Sequence, residues 1–196
     1  MSGADLKGAP VLVIGAGIMG AGIAQVAAQA GHTVWLHDAR EGAASAAKAK
    51  LASTLESLVA KGKLSAEAAH ATLARIQPAA QLADAAAAAL VVEAIVEDLT
   101  AKRALLKQLE AVVSPQCVLA TNTSSISVTA LANGLAHPGR LVGMHFFNPV
   151  PLMKLVSWPI RSISSQGPMR KPAARKHASS TAGVAACSCS SANDSA

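Results

Sequence analysis

The chain has 196 residues, 52% hydrophobic and 14% charged, enough for one sizeable core and one or two domains. Its net charge of +6 is uneven: residues 1–156 carry 12 Lys and Arg against 10 Asp and Glu, residues 157–196 carry 5 against 1. With no basic run or stacking aromatics before the tail, no stretch of 18 apolar residues and no leader-like N-terminus, nucleic-acid, membrane and secretory roles are not expected, and a cytoplasmic location is the default.

The first element is Val11–Ile14, short and β-branched as a strand buried on both faces should be. Gly15-Ala16-Gly17-Ile18-Met19-Gly20 follows, then an alanine-rich helical stretch to Ala30 closed by Gly31, then a second strand over 33–37 that ends at Asp38. Strand, glycine turn, helix, strand and acid form a dinucleotide-binding unit. Gly15 permits the tight turn, Gly17 the approach of a pyrophosphate and Gly20 close packing of helix and strand. Asp38, 18 residues beyond Gly20, would accept from the adenosine ribose and repel the extra phosphate of NADP, so the cofactor expected is NAD. Arg40 works against that exclusion, since an arginine there can tolerate a 2′-phosphate.

A helical hairpin is expected over about 42–77. Leu51, Leu55, Leu58 and Val59 share one face, the chain breaks at Lys61-Gly62-Lys63, and a second helix runs from Ser65 to about Ile76. It is read as an insertion, either surface decoration or a flap meeting an anionic substrate. A strand follows over 90–95, then a helix capped by Asp98, a strand over 117–120, the hydroxyl-rich 121–125, the strand Leu141–His145 and a last strand over 152–156. The fold class is α/β, a doubly wound, mainly parallel sheet. Its C-terminal strand ends should gather Gly15, Asp38, Glu97, Ser124 and His145 on one edge. His32, His37, His70, His137 and His177 are read as surface or satisfied residues, Phe146 and Phe147 as packing residues, and Cys117 as buried and reduced. Cys187-Ser188-Cys189 is too closely spaced for a zinc hairpin, so no metal is expected.

Four segments occur in order: residues 15–25, 92–97 (Val-Glu-Ala-Ile-Val-Glu), 122–125 (Asn-Thr-Ser-Ser) and 145–149 (His-Phe-Phe-Asn-Pro). Together they resemble the 3-hydroxyacyl-CoA dehydrogenase family over about residues 9–156, nearest its bacterial 3-hydroxybutyryl-CoA and 3-hydroxyadipyl-CoA branch. The resemblance implies a Rossmann domain that oxidises a 3-hydroxyacyl-CoA to a 3-oxoacyl-CoA with NAD. His145 would take the hydroxyl proton, and Ser124 and Asn148 would orient substrate and histidine. Glu97 and Lys102 would line the nicotinamide end of the cleft. The hairpin would meet CoA, with Thr54 and Lys61 at the matching positions.

In the family the histidine is followed twelve residues on by a glutamate, and here that position is Ser157. A carboxylate would fix the imidazole tautomer and stabilise the imidazolium, which serine cannot do, so impaired turnover with retained NAD binding is expected. Beyond Val156 the resemblance ends. Residues 157–196, with ten serines and basic residues without amphipathic period, read as a disordered, low-complexity tail in place of the family's helical second domain, which leaves the family-type dimer without its usual contact. Out-of-frame translation from about codon 157 and an evolved basic arm are the two explanations of the break. A dinucleotide-binding module without useful catalysis is the alternative function. A dehydrogenase of free hydroxy acids is disfavoured by the hairpin and by Asn148-Pro149.

Overall fold

The structure, a computed structural model, describes Leu6, residues 8–152 and the backbone of residues 156–158. The expectations for the tail beyond Trp158, with His177, Cys187 and Cys189, lie outside the described residues. Seven strands form one sheet: β1 (Val11–Ile14), β2 (Val34–His37), β3 (Ile76–Pro78), β4 (Leu90–Glu93), β5 (Val118–Thr121), β6 (Leu141–His145) and β7 (Val156–Trp158). Their spatial order is β3-β2-β1-β4-β5-β6-β7; the first six run parallel and β7 pairs antiparallel with β6.

Side-chain alternation along β1 divides the core into two. Val11 and Val13 face α1 (Ile18–Gln29), α2 (Ala43–Ala60) and α3 (Ala66–Arg75), where Ile23, Leu55 and Ile76 are buried. Leu12 and Ile14 face the other side, with Leu106 and Leu109 of α4 (Leu99–Val112) and Leu131 of α5 (Val128–Ala132). A strand apolar at every position needs cover on both faces, and the helices supply it. Gly31 has φ +97° just past α1. Ser65 and Asp98 cap α3 and α4 by accepting from Ala68 N and Ala101 N, as the sequence predicts.

Two expectations are corrected. The hairpin after β2 leads into the edge strand β3 and packs on α1, β2 and β3, with its Leu51 and Leu55 buried. Its second helix stops at Arg75, and Ile76, fully buried, opens β3 opposite Val34. Pro78 ends that strand on the sheet edge, where a missing N–H costs least. The last strand is also displaced. Leu152 lies in a turn, its N–H donating to Pro149 O at 3.0 Å, and β7 begins at Val156. In its register Val156 lies opposite His145 and Ser157 opposite Met144. The five-residue α5, capped by Ser127, was not foreseen.

Gly22 on α1 fixes the path of the chain after β6. A Cβ there would stand 2.9 Å from Val150 Cβ, so the helix has room for buried Val150 only because position 22 is glycine.

Ile76→Ala should lower the unfolding free energy by about 2–5 kcal/mol, and Leu152→Ala, at an exposed position, by less than about 0.5 kcal/mol. Urea unfolding of the two variants checks this; a small effect at Ile76 would remove β3 from the core.

Candidate active site

Parallel pairing brings the C-terminal ends of β1, β2, β4, β5 and β6 to one edge. Gly15 leaves β1 with φ +99°, its N–H donating to His37 O at 2.8 Å, and a Cβ there would lie 2.5 Å from Ala94 O. At Gly20 a Cβ would fall 1.6 Å from Gly15 O, so this glycine lets the turn close on itself. Gly17 differs: a Cβ there would meet no protein atom within 4 Å. Its bare backbone answers to nothing inside the protein and fits the cradle that a pyrophosphate needs at the start of α1.

Asp38 braces this turn. Its Oδ2 accepts from Ala16 N at 2.8 Å, while its Oδ1 accepts from Arg40 N at 2.9 Å and Arg40 Nε at 3.2 Å. Burial raises its pKa, but the Arg40 amide and guanidinium and the Ala16 amide together hold it below the ordinary carboxylate value. The carboxylate therefore stays ionised where a ribose would donate to it.

On the other side of β1 a cleft of about 330 Å³ lies among Met19, Glu97, Asn122, Ser124, His145 and Asn148. His145 ends β6, half-buried, with the Phe147 ring tilted 45° against it at 4.3 Å. Phe146 packs against the core as expected, whereas Phe147 is 41% exposed on the cleft wall and is more than a packing residue.

Glu97 organises the loop that carries Ser124. Its Oε1 accepts from Thr123 Oγ1 at 2.6 Å, Ser124 N at 2.9 Å, Ser125 N at 3.1 Å and Ser125 Oγ at 3.2 Å. The Ser124 hydroxyl is held loosely, at 3.4 Å. Burial raises the Glu97 pKa; the Thr123 hydroxyl, the two serine amides and the Lys102 charge bring it down to about 2. The hydroxyls of 121–125 thus serve two glutamates more than their own backbone.

Lys102 does not line the cleft. It is fully buried behind Glu97, with Nζ 2.7 Å from Glu93 Oε1, 3.2 Å from Asn122 O and 3.4 Å from Glu97 Oε2. Glu93, missed from the sequence, is fully buried as well and takes Thr121 Oγ1 at 2.6 Å and Ile95 N at 2.8 Å. An acid ending an apolar strand covered on both faces signals a buried partner. Asn122, also missed, accepts from Phe146 N through its Oδ1 at 3.0 Å and so fixes the backbone beside His145.

Other predicted residues stand apart. Thr54 and Lys61 are exposed on and just after α2, away from the His145 cleft, and the Thr54 hydroxyl donates to Lys50 O at 3.0 Å. His32 and His37 engage backbone carbonyls of Ala9 and Ala79 as satisfied residues, while His70 and His137 are exposed. Cys117 is a buried free thiol whose pKa burial pushes up to about 11. Among the described residues no helix is long and apolar enough to cross a membrane, and no three His, Cys, Asp or Glu side chains group as a metal site.

A parallel sheet ordered 3-2-1-4-5-6, with a glycine turn after β1 and an acid after β2, defines a dinucleotide-binding Rossmann domain. The family model of the 3-hydroxyacyl-CoA dehydrogenase NAD-binding domain matches residues 10–158, and the chain belongs to that family. Among its relatives, the 3-hydroxyadipyl-CoA dehydrogenase of Escherichia coli is 51% identical over 146 residues, covering 74% of this chain and 31% of the relative. A probable 3-hydroxybutyryl-CoA dehydrogenase of Deinococcus radiodurans is 50% identical over 144 residues, with 74% and 51% covered. The crystal structure of a 3-hydroxybutyryl-CoA dehydrogenase from Escherichia coli matches with a TM-score of 0.73 at 49% identity, covering 74% of this chain and 31% of that one. The chain thus matches about a third to a half of the length of these relatives.

Lys102→Met strands Glu93 in the core and should destabilise the fold by about 3–5 kcal/mol, with part of the loss recovered in Glu93→Leu/Lys102→Met. Chemical denaturation of both variants decides; a double mutant no better than the single one would argue against the ion pair. A second expectation follows from Glu97. Its folded pKa of about 2 lies below the ordinary value of 4.5, so its contribution to stability is present above about pH 4.5 and lost as pH falls towards 2. Glu97→Gln should flatten the acid limb of a stability-against-pH curve, and an unchanged slope would contradict the assignment.

Proposed function

We propose that the site oxidises the 3-hydroxyl of a 3-hydroxyacyl-CoA to a 3-oxoacyl-CoA with NAD as hydride acceptor. The observation that carries this reading is the shared cleft of His145, Ser124 and Asn148 beside the glycine turn. NAD supplies the two-electron acceptor when bound; Gly17 would give its pyrophosphate close backbone approach and Asp38 would take its ribose hydroxyls. A neutral imidazole at His145 removes the hydroxyl proton as C3 loses hydride, and it holds that proton until the product leaves. Ser124, whose hydroxyl is only loosely engaged with Glu97, donates to the substrate oxygen. Asn148, exposed on the cleft, orients the substrate from the opposite wall.

Glu97, on the cleft wall, would meet the nicotinamide end of the cofactor, while Lys102 behind it would act by holding Glu97 and the Ser124 loop. Thr54 and Lys61 on the exposed face of the hairpin would meet CoA. On this reading residues 1–156 are one NAD-binding domain with the hairpin within it, followed by the basic, serine-rich residues 157–196. A cytoplasmic setting goes with it, supported by the free thiol at Cys117.

A second reading, a nucleotide-binding module with little turnover, is favoured by one observation: Ser157 stands where the family pattern has glutamate. An imidazolium without a carboxylate partner is less stable, and positioned acid–base chemistry is worth about 10²–10⁴ in rate.

NADH formation from 3-hydroxybutyryl-CoA separates the two. Ser157→Glu should raise kcat at least about tenfold, and His145→Gln in that background should lower it by about 10²–10⁴ while the NAD Kd stays within about threefold. Unaltered chain turning over at about 10 per second would refute the impairment. If Ser157→Glu binds NAD normally yet reduces none with any 3-hydroxyacyl-CoA, the dehydrogenase reading fails and the module reading stands.

A further inference from the structure

A second hollow, of about 440 Å³, opens beyond β2 and β3 and is lined by Asp38, Arg40, Glu41, Ser45 and Pro78 among others. Because Asp38 borders it, this hollow is where the adenosine end of a dinucleotide would lie. A carboxylate offers about four lone-pair directions. Three are already used at Asp38, by Ala16 N on Oδ2 and by Arg40 N and Nε on Oδ1. One direction remains.

The ribose of NAD brings two hydroxyl donors to this carboxylate, and the ribose of a 2′-phosphorylated nucleotide brings one. With Arg40 engaged, Asp38 can serve the single 3′-hydroxyl, and the guanidinium still has two NH₂ groups with no bond among the described residues. For the unphosphorylated diol, one of the three bonds must open. The two backbone amides belong to the glycine turn and the bend after β2. The guanidinium contact, 3.2 Å long with the Arg40 side chain 77% exposed, is the one that opens at little cost.

We infer that Arg40 is a cofactor-specificity residue of this domain: it occupies the acceptor that the 2′-hydroxyl of NAD would use, presents two free NH₂ groups where NADP carries its 2′-phosphate, and so lets the domain bind NADP beside NAD. Asp38 and Glu41 both repel that phosphate, and Arg40 is the single cation among the residues lining the hollow. NAD therefore stays the tighter ligand, with a narrowed margin. The inference rests on the dinucleotide-binding assignment and is independent of the dehydrogenase reading.

Calorimetric titration of the full chain with NAD, NADP, ADP and adenosine 2′,5′-bisphosphate tests it without turnover. The wild-type chain should bind NADP within about a hundredfold of NAD. Arg40→Ala should weaken NADP and the 2′,5′-bisphosphate by about tenfold, as expected for one exposed charge-assisted contact, while NAD and ADP hold or tighten. Arg40→Lys should recover part of the NADP affinity, since charge is kept and the planar fork lost. An Arg40→Ala chain whose NADP affinity is unchanged, or which loses NAD and NADP equally, overturns the inference. Wild-type chain that binds neither dinucleotide overturns it too, along with the cofactor assignment. Failure on 3-hydroxyacyl-CoA with these affinities as expected would count against the dehydrogenase reading alone.

Discussion

The candidate site hangs from one ammonium group. Lys102 reaches from α4 into the end of the sheet, fully buried, donates to Glu93 and the carbonyl of Asn122, and pairs with Glu97 at 3.4 Å. Desolvating an ammonium and a carboxylate costs several kcal/mol per ion, and only a fully satisfied arrangement offsets it. Glu93 meets that condition by also accepting from Thr121 and Ile95, so the pair ties β4, β5 and α4 at one point. The same point controls both loops of the cleft. Through Glu97 it fixes Thr123 to Ser125; through Asn122 it reaches the amide of Phe146, next to His145. Ser124 and His145 come from different strands, and their relative placement depends on this shared anchor.

The glycine turn supplies the matching half. The strand order reverses between β1 and β4, and an open parallel sheet leaves its crevice at that point. Asp38 holds the turn on the β2 side through Ala16 N, and Glu97 holds the serine loop on the β5 side. A molecule lying across the turn therefore touches two carboxylates with different tasks. Asp38 has three of its four acceptor directions taken by Ala16 and Arg40 and one left, whereas Glu97 Oε1 is saturated by its own loop. Glu97 Oε2 keeps one contact, to Lys102 at 3.4 Å, and faces the cleft.

Much of this was legible in the sequence. The parallel strands, both acidic or hydroxyl caps of the later helices and the edge that gathers Gly15, Asp38, Glu97, Ser124 and His145 follow from strand length, glycine placement and periodicity. What escaped has physical causes. β3 has three residues, follows α3 without a turn and ends in proline, so its apolar signal reduces to Ile76, which also completes a helical face. The depth of Lys102 escaped because depth is a tertiary property: the helical period places a lysine on a face but does not say that two acids from other segments wait beneath it. Glu93 escaped for the same reason: read inside a strand over 90–95, it ends β4 over a buried lysine. β7 was misplaced because the chain turns at residues 149–152, a step that Val150 imposes by packing onto Gly22.

For His145 as the proposed general base, position and a charged partner are separate requirements. The position of His145 is set by β6 pairing, by the Asn122 contact to the next amide and by the Phe147 ring. The backbone pairing of β6 with β7 adds to them, with Val156 opposite His145 and Ser157 opposite Met144. A charged partner is a separate matter: the glutamates of this edge are committed, Glu93 to Lys102 and Glu97 to Lys102 and the serine loop. Neither can be turned towards His145 without uncovering Lys102. The buried anchor that fixes the serine loop also fixes both carboxylates.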